Sequence, residues 1–516
     1  MDPLKLLNLL PQWWQELQKS ETLFNQIIIS LIIIFFSLYV VKLIRGPKLN
    51  LPPSPRRLPV IGNLHQLGKV LHQSLRGMSE KYGPLMLLHF GNVPTLIVNC
   101  AEISKEIMTN SVFQNRPQIK VADALYYGCT SIAFCPYGEY WRETKKICVL
   151  QLLSLKRVQD FQYVREVEVA EMIKKVRGSC CSEDGALIDL SEMFVNFTSN
   201  VISTCALGRK YTREDGSESF GELARRALEL IGAFNFHDIV PYLWWIDVLT
   251  GFNARVRKTV KEFDTLLDQV IEDHQQKIGD QSDRKDLVDI LLSLEKDDQL
   301  EINLTRENLK AILLDMFIGG IDNSASIMEW AMAELTENPT VMRKAQEEVR
   351  RVVGIKSKID EGDIAQMEYL KCVIKETLRL HGPVLITRES TIATKLEGYD
   401  IPAKTRVLIN AWAIQRDPRM WERSEEFVPE RFVNNPVDFK GHHNQFLPFG
   451  MGRRACPGII FAMAEIEYVL ANLLYWFDWK LPGQTEQNLN MSDIFGLVNH
   501  KKVNLRLVPV MHSCSS

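Results

Sequence analysis

The stretch PFGMGRRACPG, Pro448–Gly458, carries residue types that suit a metal centre. Its glycines let the backbone approach a flat ligand closely, and Pro457 suits the first turn of the apolar helix that follows. Cys456 is therefore expected at a helix N-terminus beside Arg453 and Arg454, where the helix dipole and the cations lower a thiol pKa. A thiolate on such a loop can ligate iron, and the arginines can pair with carboxylates of the ligand. The alternative is an ordinary glycine-rich turn around a buried cysteine.

A second polar cluster is GGIDNS, Gly319–Ser324, which interrupts the apolar run ILLDMFIGGIDNSASIMEWAMAEL. The run predicts a helix in the core. Paired glycines, an acid, an amide and a hydroxyl all lower helix propensity, and buried polar groups need partners or cost stability. This turn of the helix therefore needs a functional explanation.

Two shorter motifs, KETLRLH and PERF, supply a set of charged residues. Glu376 and Arg379 are three positions apart, so they share a helix face and can form a charge-assisted pair. Arg431 lies in PERF, Pro429–Phe432. Taken alone, such a pair is common on any solvated helix, and only its place among the other motifs gives it meaning.

Together these motifs resemble those of the cytochrome P450 haem-thiolate enzymes. FGMGRRACPG fits the haem-binding signature Phe-x-x-Gly-x-Arg-x-Cys-x-Gly at every fixed position, and the other motifs occur in the family's order. The proline-rich connector, the N-terminal anchor and the PERF spacing resemble the plant microsomal A-type group. The resemblance implies haem b (iron protoporphyrin IX) with Cys456 as the iron ligand, and it places Phe449, Arg454 and Gly458 in the haem loop. It also implies that Glu376, Arg379 and Arg431 form a buried structural triad.

Further haem contacts follow from the same resemblance. Within YGEYWRETKK, Trp141 and Lys145 correspond to residues that reach a haem propionate; lysine lacks the fork of the more usual arginine, so a weaker anchor is expected. Arg388 is the remaining candidate for a contact with a haem propionate. Only six residues separate it from His381, fewer than is usual, and Gly382 replaces the usual proline. The shorter segment should reshape the pocket beside the haem.

GGIDNS resembles the central helix over the haem. Gly319 and Gly320 would let the helix kink, and Asp322 would feed protons toward the iron side as part of a relay with its neighbours. Asn323 stands where the family usually has threonine, and the hydroxyl is displaced to Ser324, about 100° further round the helix. Asn323 either substitutes as a hydrogen-bond donor or marks a changed reaction.

The 516 residues, 46% hydrophobic and 24% charged with a net charge of -3, suggest neither a nucleic-acid binder nor an acidic tail. We expect an N-terminal luminal or interfacial segment (1–22), a transmembrane anchor (23–44), a proline-rich connector (45–60) and a haem domain (61–516). The anchor rests on an uncharged apolar run long enough to span a bilayer. Basic residues follow the run, so the bulk of the protein should face the cytosol.

The fold class expected is mainly α with a minor β sheet: a single large cytochrome P450-type helical domain plus the N-terminal transmembrane helix. Apolar runs between Leu85 and Asn99 predict a hairpin, and residues 391–412 predict a second strand region. Helical periodicity dominates after Tyr140. The ten cysteines include no CxxC pair, so disulfides are not expected in a cytosolic domain.

The leading functional hypothesis is a haem-thiolate monooxygenase that oxidises a lipophilic plant specialised metabolite, a terpenoid or alkaloid. Electrons would come from NADPH through NADPH-cytochrome P450 reductase, with cytochrome b5 as a second candidate partner. The expected location is the endoplasmic reticulum membrane, single-pass, with the haem domain cytosolic. One alternative is oxidative cyclisation, desaturation or rearrangement without retained oxygen. Another, of a different class, is a non-catalytic membrane haem-binding protein.

Overall fold

The computed structural model of the protein describes residues 24–31, 33, 34, 37, 49–180, 187–210, 220–276, 285–296, 301–482, 489–494 and 496–512. The chain divides into a small unit, Met1–Leu51 with Leu396–Asp400, and a large unit, Pro52–Lys395 with Ile401–Ser516. In the small unit residues 24–31 are helical with exposed side chains. The segment 1–22 and most of the expected anchor and connector before residue 49 lie outside the described residues, so the anchor stays a prediction.

Helices dominate the large unit, as the periodicity predicts. Those of the first half are α1 (Leu71–Tyr82), α2 (Ala101–Thr109), α3 (Lys120–Leu125), α4 (Glu139–Ile147), α5 (Leu155–Asp160), α6 (Gln162–Cys180), α7 (Leu190–Leu207), α8 (Phe220–Gly232), α9 (Phe236–Ile239), α10 (Trp244–Leu249) and α11 (Phe252–Gln276). Those of the second half are α12 (Leu287–Glu295), α13 (Arg306–Glu337), α14 (Pro339–Val353), α15 (Glu361–Ile364), α16 (Glu368–His381), α17 (Ala411–Ile414) and α18 (Ile459–Trp476).

The strands are short and build small sheets. They are β1 (Leu85–Phe90), β2 (Val93–Val98), β3 (Ile188–Asp189), β4 (Ile386–Glu389), β5 (Thr394–Leu396), β6 (Tyr399–Ile401), β7 (Arg406–Ile409), β8 (Phe477–Lys480), β9 (Asp493–Ile494), β10 (His500–Lys501) and β11 (Arg506–Met511). The main sheet has the order β1-β2-β7-β4, with the predicted β1–β2 hairpin antiparallel and β2 parallel to β7. A second sheet has the order β3-β11-β8, and β9 pairs with β10.

The long helix α13 forms the centre of the core and packs most extensively against α7, with further contacts to α8, α16 and α18. It starts at a capping box, in which Thr305 and Asn308 satisfy each other's backbone N–H groups. Helices α13 and α18 are apolar and long enough to cross a membrane. However, 78% and 67% of their most apolar windows are buried in the protein, which identifies them as core helices.

Candidate functional site

The loop that ends at Cys456 is held by its own backbone. The Cys456 N–H donates to the Phe449 oxygen at 3.0 Å. Gly452 has φ +72°, and a Cβ there would lie 2.3 Å from the Met108 oxygen, so only glycine fits this position. Glycine is thus required at position 452 because the loop passes close to the end of α2, in addition to any close approach of a ligand.

The start of α18 differs from the expectation for Pro457. The helix begins at Ile459 with Gly458 as its N-cap, so Pro457 precedes the helix instead of lying in its first turn. A Cβ at Gly458 would lie 3.9 Å from Cys456 Sγ. Cys456 therefore lies two residues before the N-cap, close to the helix N-terminus, where backbone N–H groups favour a negative charge.

The thiol pKa is the one electrostatic expectation that the structure reverses. The Cys456 side chain is exposed, yet protein surrounds it at longer range. This desolvation raises the pKa of Cys456, while the backbone N–H of Gly458 and the charges of Lys145 and Arg116 lower it less. The protein alone therefore does not produce the expected low pKa; a coordinated metal ion deprotonates its thiol ligand directly.

Glu376 and Arg379 of α16 form a buried bidentate pair. Arg379 donates from Nε and Nη2 to the two Glu376 oxygens, each at 2.8 Å, and both side chains are 0% exposed. Arg431 donates from Nε to Glu376 Oε1 at 3.0 Å. Because removing one partner of a buried pair leaves an uncompensated charge, its loss costs about 3–5 kcal/mol. The structure thus brings the three residues of the expected triad together.

Arg454 is buried and fixed by backbone oxygens. Its guanidinium donates to Gln114 O at 2.9 Å, to Ile132 O at 3.0 Å and to Cys135 O. Trp141 donates from Nε1 to the same Ile132 oxygen at 3.0 Å, and the Arg454 guanidinium lies 4.4 Å from the centre of the Trp141 ring. These contacts join the Cys456 loop to α4 and to the segment before it.

Lys145 and Arg388 are the other two cations named by the sequence. Lys145 donates from Nζ to the backbone oxygens of Arg453 and Ala455, the latter at 3.3 Å. Arg388 in β4 is 1% exposed, and its Nη1 donates to Thr387 O at 2.8 Å.

Arg116 belongs with them, although the sequence analysis did not single it out. Burial lowers the pKa of Arg116, whose charge acts on Cys456, Arg388 and Arg454. Burial also lowers the pKa of Arg454 to about 9, and the charge of Arg116 contributes. A lone arginine before Pro117 has no distinguishing spacing, so only the fold reveals that it lies in this cluster.

Arg116, Lys145, Arg388 and Arg454 form a cation cluster. Its chemistry decides whether the site fits haem. The Nε atoms of Arg116 and Arg388 are buried without a hydrogen-bond partner among the described residues. Buried cations with free donors are costly unless they meet anions. Haem b combines an iron, which Cys456 can ligate, with two carboxylate side chains, which such a cluster can bind. The residues present therefore fit the group.

The polar turn of α13 is split between different faces of the helix. Asp322 is 2% exposed and accepts from His500 Nε2 at 2.6 Å, while Arg225 Nε lies 3.5 Å from its other oxygen. These three side chains line a cavity of about 590 Å³ with residues of α7, α8 and the β9–β10 region. No local pattern in the sequence connects His500 or Arg225 with Asp322, because both are distant along the chain.

Asn323 and Ser324 occupy the two other faces. Asn323 is exposed, and its Nδ2 donates to Gly319 O at 2.9 Å. Ser324 is 3% exposed and lies close to Glu465 of α18. The structure does not bring Asp322, Asn323 and Ser324 together on one cavity wall, because successive residues of a helix are about 100° apart.

The site combines a cysteine that can ligate iron with a cluster of buried cations and a long central helix. This combination defines a haem-thiolate type of site, and comparison with known proteins agrees. The chain belongs to the cytochrome P450 family, whose model matches residues 52–506. It is thus an oxidoreductase of the monooxygenase class.

Several curated plant proteins are similar over nearly the whole chain. Phenylacetaldehyde oxime monooxygenase of Prunus mume is 48% identical, covering 98% of this chain and 99% of the relative. Cytochrome P450 71A1 of Persea americana is 51% identical, covering 87% and 91%. Strychnine-11-hydroxylase of Strychnos nux-vomica is 44% identical, covering 90% and 92%.

Proposed function

We propose that the chain oxidises a lipophilic plant specialised metabolite, a terpenoid or alkaloid, with molecular oxygen and electrons from NADPH-cytochrome P450 reductase. The cation cluster around Cys456 carries this proposal, because two of its guanidinium groups have free donors that match a haem with two carboxylates. The names of the relatives, an oxime monooxygenase and a strychnine hydroxylase, support a plant metabolite as the substrate class.

Each part of the site then has a distinct task. Cys456 ligates the iron, and the cation cluster holds and orients the two carboxylates. Bound in this way, haem b supplies the chemistry: activation of molecular oxygen for insertion of one oxygen atom into the substrate. Asp322, whose carboxylate accepts from His500 Nε2, would pass protons from the inner cavity, and Asn323 lies on the exposed face of α13. The buried Glu376–Arg379 pair fixes the surrounding core.

The membrane and partner assignments belong to the same proposal. The apolar N-terminal run would anchor the protein in the endoplasmic reticulum membrane as a single span with the haem domain in the cytosol. Arg142, Lys146 and Arg453 are exposed. They are suited to meet an acidic face of the reductase or of cytochrome b5.

A second candidate function is oxidative cyclisation, desaturation or rearrangement. Asn323 favours it, because one amide N–H is engaged with Gly319 O and the side chain offers no hydroxyl at the usual position. In a desaturation the substrate loses two hydrogens, oxygen leaves as water, and NADPH supplies the remaining two electrons.

Turnover under labelled oxygen gas separates the two candidates. The haem-loaded full chain is coupled to the reductase and given NADPH and a panel of plant terpenoids and alkaloids, and product masses are recorded. We expect substrate-stimulated NADPH consumption and one labelled oxygen atom in the product. A product without label and lighter by two hydrogens would support the second candidate. No stimulated consumption with any compound would contradict both enzyme functions.

Haem retention tests the cation cluster separately. Arg116→Gln should lower the haem content of the purified protein several-fold, because a haem carboxylate then loses its cationic partner. Arg406→Gln is the matched control, since Arg406 also has a buried Nε without a described partner but lies outside the cluster. Equal haem loss in the two variants would show that the cluster has no special role.

A further inference from the structure

A turn at residues 131–135, between α3 and α4 in the chain, is closed by its own backbone. The N–H groups of Phe134 and Cys135 donate to Ser131 O at 3.3 and 2.8 Å, and Phe134 N also donates to the Ser131 hydroxyl at 3.2 Å. These bonds engage the last two N–H groups of the turn. The N–H groups of the two residues that follow Ser131 point away from it and need an acceptor elsewhere.

Asp315 of α13 supplies this acceptor. Its Oδ2 accepts from Ile132 N at 2.7 Å. The Ala133 N–H and the Ser131 hydroxyl also hydrogen-bond the Asp315 carboxylate, and both bonds lower its pKa. Donors from three successive residues thus surround one carboxylate, which is the way in which a turn binds an anion.

Oxygens of the same turn face the loop that carries Cys456. Ile132 O accepts from Arg454 Nη1 and from Trp141 Nε1, each at 3.0 Å, and Cys135 O accepts from Arg454 Nη2. The peptide group that supplies the Ile132 oxygen is the one whose N–H belongs to Ala133. One peptide dipole therefore has the Asp315 carboxylate at its positive end and the Arg454 guanidinium at its negative end, and both charges favour this orientation.

The charge of Asp315 also acts on the cation cluster at longer range. Burial raises the pKa of Asp315 to about 7, whereas the donors of the turn and the charge of Arg116 lower it. In return, the charge of Asp315 raises the pKa of Arg116 and of Arg454, against the effect of their burial. A negative charge at Asp315 thus favours the ionised arginines, which is the form that binds carboxylates.

We propose that Asp315 is a positioning residue for the cofactor: its carboxylate fixes the turn 131–135, and the turn holds Arg454 and Trp141 in place within the haem site. Asp315 acts through these residues, whereas the cations of the cluster bind the haem carboxylates themselves. This inference rests on the proposed function, since it concerns retention of the same haem. It involves no chemical step.

Haem loss from the haem-loaded full chain tests the proposal without turnover. Excess apomyoglobin captures the released haem, and the absorbance change gives the rate constant. Asp315→Asn keeps the shape but removes the charge and places an NH2 group among the donors of the turn. We therefore expect haem loss to become about tenfold faster. Asp315→Glu keeps the charge and should restore most of the retention.

Hydrogen exchange separates an effect through the turn from a general loss of stability. In Asp315→Asn the amides of Ile132 and Ala133 should exchange faster, while those of α14 keep their wild-type rates. Glu334→Gln is the matched control, because Glu334 is a buried acid of α13 that accepts from His381 Nε2 at 2.7 Å. It should leave haem loss and the exchange of both amides unchanged.

Ser131→Ala removes one of the three donors and repeats the test if Asp315→Asn does not load haem. It should accelerate haem loss by a smaller factor, about two- to threefold. The proposal is overturned if the turn loosens without faster haem loss, if Glu334→Gln accelerates the loss equally, or if Asp315→Glu loses haem as fast as Asp315→Asn.

The reduced carbon monoxide spectrum reports thiolate ligation and should change with the haem loss in Asp315→Asn. A wild type that binds no haem would overturn this inference and the proposed function together. A wild type that retains haem but turns over no compound would contradict the proposed function alone, so the two failures are distinguishable.

Discussion

Asp322 and Asn323 are adjacent in the chain but occupy different environments. Asp322 is buried on the face of α13 that meets α8 and β10, where Arg225 and His500 hold its carboxylate. Asn323 is exposed and binds only its own helix through Nδ2 among the contacts described. The difference shows that two neighbouring residues of one motif reach different surroundings: Asp322 lines an inner polar cavity, and Asn323 lies on an exposed face of α13.

The largest expected effect comes from Asp322. Asp322→Asn keeps the shape but removes the negative charge beside Arg225 and His500. If Asp322 supplies protons, product formation should fall by roughly 100-fold. Reductase-coupled product formation measures this loss.

Glu329→Gln is the matched control for this variant. Glu329 is another buried acid of α13 that lines the same cavity, and it accepts a hydrogen bond from Ser191. Its neutralisation should change product formation much less. An equal loss in both variants would mean that the cavity as a whole, and not Asp322, sets the rate.

Substitution of the paired glycines should change the free energy of unfolding, an effect of intermediate size. Gly320→Ala places a Cβ 2.8 Å from Ile202 Cδ1, so we expect a loss of about 1–3 kcal/mol in unfolding free energy. A Cβ at Gly319 meets no heavy atom within 4 Å among the described residues, so Gly319→Ala should stabilise the helix by about 1 kcal/mol. Thermal unfolding of the haem-loaded variants measures both. Adding Ile202→Val, which removes the contacting methyl group, should recover part of the loss; destabilisation of equal size at both glycines would contradict this packing.

The smallest effect concerns the third face of α13, where Ser324 approaches Glu465. Burial raises the pKa of Glu465 from its ordinary 4.5 to about 8, against the opposing effects of Arg165 and Ser324. Between those two values the folded state binds more protons than the unfolded state, so stability falls as pH rises. Glu465→Gln should flatten this dependence.

Thermal unfolding at pH 5, 6.5 and 8 detects the change. Relative to the wild type, Glu465→Gln should be more stable at pH 8 than at pH 5 by a few degrees in Tm. Parallel pH profiles for the two proteins would show that Glu465 does not titrate in this window.

The sequence predicted the parts of the fold that local patterns control. The β1–β2 hairpin and the long α13 and α18 helices follow from apolar periodicity and turn residues. Spacing also indicated that Glu376 and Arg379 share a helix face. Cofactor loop residues could be named because the signature is continuous in the chain.

The remaining features depend on contacts between distant segments. His500 lies 178 residues from Asp322, and no local pattern connects them. Arg116 joins the cation cluster only through the fold. Asp322, Asn323 and Ser324 lie on different faces of α13, as the helical rotation of about 100° per residue requires, and their expected role in proton transfer stays a prediction. The prediction of a lowered pKa for Cys456 was wrong, because desolvation raises this pKa more than the nearby cations lower it.

The central claim, that Asp322 and Asn323 act on separate faces, is tested most directly by a double-mutant cycle. Product formation from one substrate is measured for the wild type, Asp322→Asn, Asn323→Leu and the double variant. Independent roles should give additive losses in transition-state free energy, within about 0.5 kcal/mol. A double variant no slower than Asp322→Asn alone would show that the two residues form one relay, contrary to the arrangement described.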